Sequence, residues 1–334
     1  MSEDANLKFG RPAARRRISR AGIALFLIAS SGLAQAWLAP EGEASFGLSY
    51  QNVYTRDHLF SEGERRDRGH IRLNTIVVGL TYSFTDRLAA AASLPYVIGR
   101  YEGPNSNNVP GHEIVDDGSY HGNFTDLRLD LRYNLVEEPA MVTPFVSAII
   151  PTWDYPTFGQ SAPSSGLEQY LVGVSVGRRL DPILEAGFAQ LRYSYAFVEE
   201  VRGISHDRSN ADLEIGYFLT PSLGISVTGS YQKTHGGLDV PLPGTPAADA
   251  FRATPFFVHR DRLAQTNYLN VGGIVSYALT GSLEVFAVYQ STVWGRNFHA
   301  VQPGLAFGVN FGFSPRRVIR SFVRKSPTDE RSSG

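Results

Sequence analysis

Asp126-Leu127-Arg128-Leu129-Asp130-Leu131-Arg132-Tyr133-Asn134-Leu135 alternates a charged or amide side chain with an apolar one at every step. Successive side chains of a β-strand point to opposite faces. As a strand, this stretch has one wholly apolar face and one face of carboxylates and guanidiniums. As a helix it would smear both sets around its circumference. The same period of two recurs further along. Leu191, Tyr193, Tyr195 and Phe197 alternate with Gln190, Arg192 and Ser194. Leu213, Ile215 and Tyr217 alternate with Asp212 and Glu214, and Leu223, Ile225, Val227 and Tyr231 with Ser222, Ser226, Thr228, Ser230 and Gln232. Leu305, Phe307, Val309, Phe311 and Phe313 close the series against Ala306, Gly308, Asn310 and Gly312.

About twelve such segments are expected, most near the length that crosses a bilayer at a tilt. They lie at 44–54, 71–84, 88–101, 123–136, 142–154, 169–180, 183–198, 207–219, 222–234, 266–279, 282–295 and 300–313. Their connections alternate in length. Thr85-Asp86-Arg87, Glu137-Glu138-Pro139, Leu180-Asp181-Pro182, Thr220-Pro221-Ser222 and Thr280-Gly281-Ser282 are tight turns. Between them come longer loops at 55–70, 102–122, 155–168, 199–205 and 235–265, and a short one at 296–299. A soluble β-sandwich also alternates along its strands, but nothing in it requires every second connection to be short. The reading is an all-β protein: a transmembrane antiparallel up-and-down β-barrel of about twelve strands, with short periplasmic turns and long extracellular loops. Tyr82, Phe84, Tyr96, Tyr217, Phe218, Tyr277 and Trp294, near strand ends, suit interfacial girdles.

Composition agrees by exclusion. The 334 residues hold 33 Gly, 16 Tyr and 20 Phe, a β-leaning set. Mean hydropathy is −0.15, which leaves no room for repeated apolar helices but is ordinary for a barrel. The absence of Cys excludes disulfide scaffolds, thiolate zinc sites and cysteine nucleophiles. A formal net charge of −1 speaks against a nucleic-acid partner.

The first segment reads as an address. Arg15, Arg16, Arg17 and Arg20 precede the apolar run 21–29, and Ala34-Gln35-Ala36 supplies small residues for cleavage. Residues 1–36 are therefore expected to be a secretory signal peptide cut near Ala36, residues 37–313 the barrel, and residues 314–334 a basic, disordered periplasmic tail. That tail, with Arg316, Arg317, Arg320, Arg324 and Lys325, offers a possible periplasmic contact. Without leader and tail the body carries a net charge of −9, which suits a lumen for cations or neutral solutes better than an anion pore.

With apolar faces towards lipid, the alternates line the lumen: Asp126, Arg128, Asp130 and Arg132 as one column, with Arg192, Asp212, Glu214 and Glu284 from other strands. Such charges must be paired or wet. Pro95 and Pro151 interrupt strands in a wall that has no edge, so each should mark a bulge or kink, either a simple strand-end bend or a wall defect that lets an apolar solute move sideways into the membrane. In the longest loop, Phe251, Phe256 and Phe257 either fold inward to constrict the lumen or cap the rim.

Catalysis finds little support. In His206-Asp207-Arg208-Ser209-Asn210, His and Ser three apart on a strand face opposite ways, and His206 is expected to be exposed. His112, Asp116, Asp117 and His121 share one loop, where solvated residues are the simpler reading than a protease or metal site. No metal, cofactor or catalytic residue is assigned.

Leu94-Pro95-Tyr96-Val97, Gly122-Asn123-Phe124-Thr125-Asp126, Tyr133 and Ile150-Pro151-Thr152 resemble pieces of the outer-membrane barrel family known as "MetA-pathway of phenol degradation" transporters. The resemblance implies a channel admitting aromatic or hydrophobic compounds and transfers no catalytic residues. It is similar in spirit to the long-chain fatty-acid channels, but with only about eight residues between Trp37 and the first strand, no N-terminal plug is expected. The function expected is passive admission of small hydrophobic or aromatic solutes by a monomer in the cell outer membrane, with the lipid bilayer and the solute as partners. The alternatives are a structural or adhesion barrel sealed by ion pairs and, behind it, a lipid-modifying barrel enzyme.

Overall fold

The computed structural model describes residues 36–104 and 109–315. The leader, save Ala36, and the tail beyond Pro315 lie outside the described residues. Strands run β1 (Ala44–Leu59), β2 (Arg65–Ser83), β3 (Leu88–Glu102), β4 (His121–Phe124), β5 (Asp126–Tyr133), β6 (Met141–Pro151), β7 (Gln169–Arg179), β8 (Gly187–Val198), β9 (Arg208–Phe218), β10 (Leu223–Thr234), β11 (Asn267–Ala278), β12 (Leu283–Arg296) and β13 (Phe298–Phe313). Each pairs antiparallel with its sequence neighbours, except that β4 and β5 both pair with β3 and not with each other, and β13 pairs back onto β1 from Ala44↔Phe313 to Leu59↔Phe298. The sheet therefore closes. Since β4 and β5 are two halves of one passage, the wall has twelve passages. Closure gives the ladder groups of every strand a partner on both sides, the condition for backbone in hydrocarbon.

The alternation is expressed as polarity turned inside out. Leu48, Ile76, Val78, Leu80, Leu129, Leu131, Leu213, Ile215, Val227 and Phe307 are exposed on the outer face, while Asp126, Arg132, Gln190, Glu214, Thr228 and Glu284 are buried. An apolar belt of this extent is not sustained in water and requires an apolar surrounding. No helix among the described residues is long and apolar enough to cross a membrane; here the strands carry that role.

The two prolines behave differently. On one flank of Pro95 the ladder to β2 is unbroken, with Val77↔Pro95 in register. On the other flank the register slips by one residue between Tyr96↔Phe124 and Ser93↔Arg128. The Thr125 N–H donates to the Pro95 carbonyl at 3.1 Å, so this is a bulge bridged by a hydrogen bond. Pro151 is the last residue of β6, opposite Asp126, and the Thr152 hydroxyl caps the Thr125 carbonyl at 3.1 Å. Pro144 and Pro303 also lie within strands, which the sequence reading overlooked.

Three boundaries depart from expectation. The loop placed at 55–70 is mostly strand: β1 and β2 continue as a hairpin through Asp57↔Asp67 and Leu59↔Arg65. Cross-strand pairs Arg56–Asp67 (3.3 Å) and Arg65–Asp57 (3.7 Å) support it, and charge of this kind hides the apolar alternation that marks the other strands. The connection placed at 296–299 shrinks to Asn297, at φ 50°. The long loop at 235–265 holds α1 (Pro246–Arg252), capped by Thr245, a 3-10 turn (Phe257–His259), and α2 (Arg260–Leu263). Leu263 packs with Leu167, Ala196, Val198 and Val201 into a small core at the loop rim.

Candidate functional site

Even-numbered residues of β5 face inward, and the column Asp126, Arg128, Asp130, Arg132 meets Arg192 and Asp212 around one cavity of about 730 Å³. Asp130 is its hub. It accepts from Arg132, from Arg192 Nη2 at 3.1 Å and from Ser147 Oγ at 2.6 Å. The Arg192 guanidinium also lies 3.6 Å from the centre of the Phe145 ring, a cation–π contact that fixes its plane. Asp126 accepts from Tyr155 Oη and, at 2.6 Å, from Ser164 Oγ. Both donors belong to the β6–β7 loop, which therefore dips into the lumen. Burial first, and then the Asp126 carboxylate, pushes the Tyr155 phenol above its ordinary pKa, so it stays a donor.

Glu214 and Glu284 face inward without lining the cavity. Glu214 accepts from Gln190 Nε2 at 2.7 Å and Ser226 Oγ at 2.8 Å. Glu284 is 2% exposed with neither carboxylate oxygen hydrogen-bonded; Ser276 faces it without reaching hydrogen-bond geometry. The segment 36–39 occupies the lumen beside Gln190, the partner of Glu214. Ala36 is fully buried, its N–H 3.3 Å from Gln190 Oε1 and its carbonyl accepting from Thr143 Oγ1 at 2.6 Å, and Trp37 meets Phe188 edge-on at 6.3 Å. The segment before β1, in which no plug is expected, reaches the lumen: Trp37, Leu38 and Ala39 line the cavity from the short-turn end.

Several cavity residues escaped the sequence reading. Arg208, Asn210, Gln232 and Tyr268 line it from β9, β10 and β11. Arg208 sits at the strand's first position, where alternation gives no face. On β2 and β3 the inward side chains Leu73, Val77, Ala89, Ala91, Pro95 and Val97 are apolar, interspersed with Thr75, Thr81 and Ser93. The near-continuous apolar runs 76–80 and 88–92 were the available signal, since a strand apolar on both faces has an apolar inner one.

Phe251, Phe256 and Phe257 do not line the cavity. Phe256 packs on the rim core, and Phe251 meets Phe257 edge-on at 5.8 Å. His206, expected exposed, is fully buried with Nδ1 3.2 Å from the Ile204 carbonyl, because the rim loops fold over it; burial lowers its pKa. Ser209 instead meets His235, Oγ to Nε2 2.8 Å, with Tyr193 Oη at 3.2 Å from the same hydroxyl. Among the described residues nothing is hydrogen-bonded to His235 Nδ1, so the orienting third group of a serine hydrolase is missing. The loop cluster is dispersed: Asp117 pairs with His121 at 2.9 Å, Asp116 holds the Gln160 and Ser161 amides, and the His112 ring lies tilted against Phe158 with centroids 4.3 Å apart. The hydrogen bond from His121 holds the Asp117 carboxyl below its usual pKa. Among the described residues no group of three or more His, Asp or Glu is placed to hold a metal.

No family model and no curated protein sequence matches the chain. Solved structures do. An outer membrane channel from Pseudomonas putida F1 superposes with a TM-score of 0.62 at 14% identity, covering 83% of this chain and 98% of that one. The NanC porin gives 0.45 at 8% identity, over 79% and 98%. The KdgM porin gives 0.40 at 10% identity, over 80% and 99%. The first of these likenesses establishes a shared barrel fold.

Proposed function

We propose that the chain is an outer-membrane channel that passively admits small hydrophobic or aromatic solutes. The observation that carries this reading is the pairing of an apolar outer belt with a charged inner cavity of about 730 Å³, within the size range of small-molecule sites. Export by a signal peptide cut near Ala36 and residence in the outer membrane as a monomer belong to the same reading, as does kinship with the phenol-degradation transporters. The cavity suits amphipathic solutes. Apolar side chains of β2 and β3 stand six passages, half the circumference, from the polar ones of β9 and β10. The bridged bulge at Pro95 favours an axial route over a sideways exit through the wall. The chain is read as a non-enzyme.

A sealed structural barrel is the second reading, favoured by the ion pairs at Asp130 and by the segment 36–39 at the short-turn end. Uptake of phenol and benzyl alcohol by cells with and without the gene separates the two. Faster uptake with the gene is expected; equal rates would support the sealed barrel.

A further inference from the structure

The charge inside the cavity does not follow the charge of the chain. The body is acidic by count, yet much of that acid lies in loops, such as Glu113, Asp117, Asp154, Glu199, Glu200 and Asp249. The cavity wall holds Arg128, Arg132, Arg192 and Arg208 against Glu43, Asp126, Asp130 and Asp212. Of the central carboxylates Asp130 and Asp126 are occupied, while Asp212 has Ser230 opposite it and no ion pair among the described residues. Asp130 takes Arg132 and Arg192, and Asp126 takes two hydroxyls. Arg128 and Arg208 are left without a carboxylate partner among the described residues, and Arg208 Nε is buried with no hydrogen bond at all. The two belong to one environment: both line the same cavity, together with Asp212 and Tyr268.

Arg128 stands exposed in the cavity, whereas Arg208 is half-buried in it, and a guanidinium so placed without an anion is costly unless water or a ligand completes it. Its planar fork matches a carboxylate better than it matches water. Asn210, Gln232 and Tyr268 stand beside Arg208 on β9, β10 and β11 with amide and hydroxyl donors, and Leu73, Val77 and Val97 offer an apolar wall across the lumen. We propose that this cavity is a binding site for small organic acids carrying an apolar or aromatic body. Arg208 and Arg128 receive the carboxylate, and the β2–β3 wall receives the apolar part. The idea deepens the channel reading, which it needs only for how the solute arrives, since binding itself is measurable in detergent.

The test uses benzoate and benzyl alcohol as probes, matched in ring and differing in charge, titrated calorimetrically into the full chain folded in detergent. Benzoate is expected to bind at least tenfold tighter than benzyl alcohol. Arg208→Gln and Arg128→Gln are each expected to weaken benzoate at least fivefold and to leave benzyl alcohol unchanged, with Arg208→Lys intermediate because it keeps charge but loses the fork. Equal affinity for the two probes in the unmodified chain would overturn the proposal without recourse to any variant. So would benzoate binding untouched by both Gln variants. The channel reading fails separately: charge-selective binding by a barrel that passes no ions would keep the site and remove the channel, whereas conduction with no preference for benzoate would do the reverse.

Discussion

Arg192 Nη2 donates to Asp130 Oδ2 at 3.1 Å although they stand 62 residues apart in the chain and two passages of the wall, β6 and β7, lie between them. An ion pair between strands that are not neighbours is a chord across the lumen, and it narrows the cavity while tying β8 to β5.

Removing the hub should therefore act on width and stability together. Asp130→Ala leaves Arg132 and Arg192 without their shared carboxylate. Breaking a dry buried pair costs about 3–5 kcal/mol, and in a wet lumen a loss on the order of 1–3 kcal/mol is expected. The temperature at which the folded band disappears on a gel should fall, and single-channel conductance should at least double. Unchanged conductance would mean the chord does not limit the pore.

The Tyr155–Asp126 hydrogen bond makes a second, milder prediction. Tyr155→Phe removes a donor to a charged acceptor, an interaction of about 1.5–3 kcal/mol, while Ser164 still serves Asp126. The β6–β7 loop should then be cut several-fold faster by protease with the barrel intact. An unchanged cleavage rate would show that the loop is held by other contacts.

The loop rim should loosen in acid. His206 is buried and its pKa is lowered by that burial, whereas an opened rim restores a value of about 6.5. The open form therefore binds the proton more readily. The stabilisation is complete above about pH 6.5 and declines as pH falls towards the depressed folded value. Opening at 201–206, measured by hydrogen exchange corrected for the intrinsic rate at each pH, should accelerate between pH 7 and pH 5, and less so in His206→Asn. Equal acceleration in that variant would assign the effect to other groups, such as His259, whose pKa burial also lowers.

Ser209 and His235 form a dyad on the outer face, and among the described residues no third member is hydrogen-bonded to His235 Nδ1. A fluorophosphonate probe should leave Ser209 unlabelled, and purified protein should not hydrolyse phospholipid. Labelling that disappears in Ser209→Ala would make the chain an enzyme.

What the sequence disclosed follows from what alternation encodes. A run such as Leu127–Leu135 fixes both a strand and its two faces, so the barrel and the column from Asp126 to Arg132 were readable. Alternation is silent where a strand is charged on both faces, as at Arg65–Arg68, or apolar on both, as at Leu88–Ala92, so the extended hairpin and the apolar inner wall were not. Partnership is not local either. Ser209 meets His235 rather than His206 because strand register, not spacing along the chain, decides neighbours. The luminal fold of Ala36–Ala39 has no periodic signature at all.

The most direct test of the channel is conductance across a planar bilayer by folded protein whose gel mobility changes on boiling. Discrete, repeatable current steps are predicted. A membrane loaded with folded barrel that stays silent would contradict an axial pore and leave a sealed cylinder in its place.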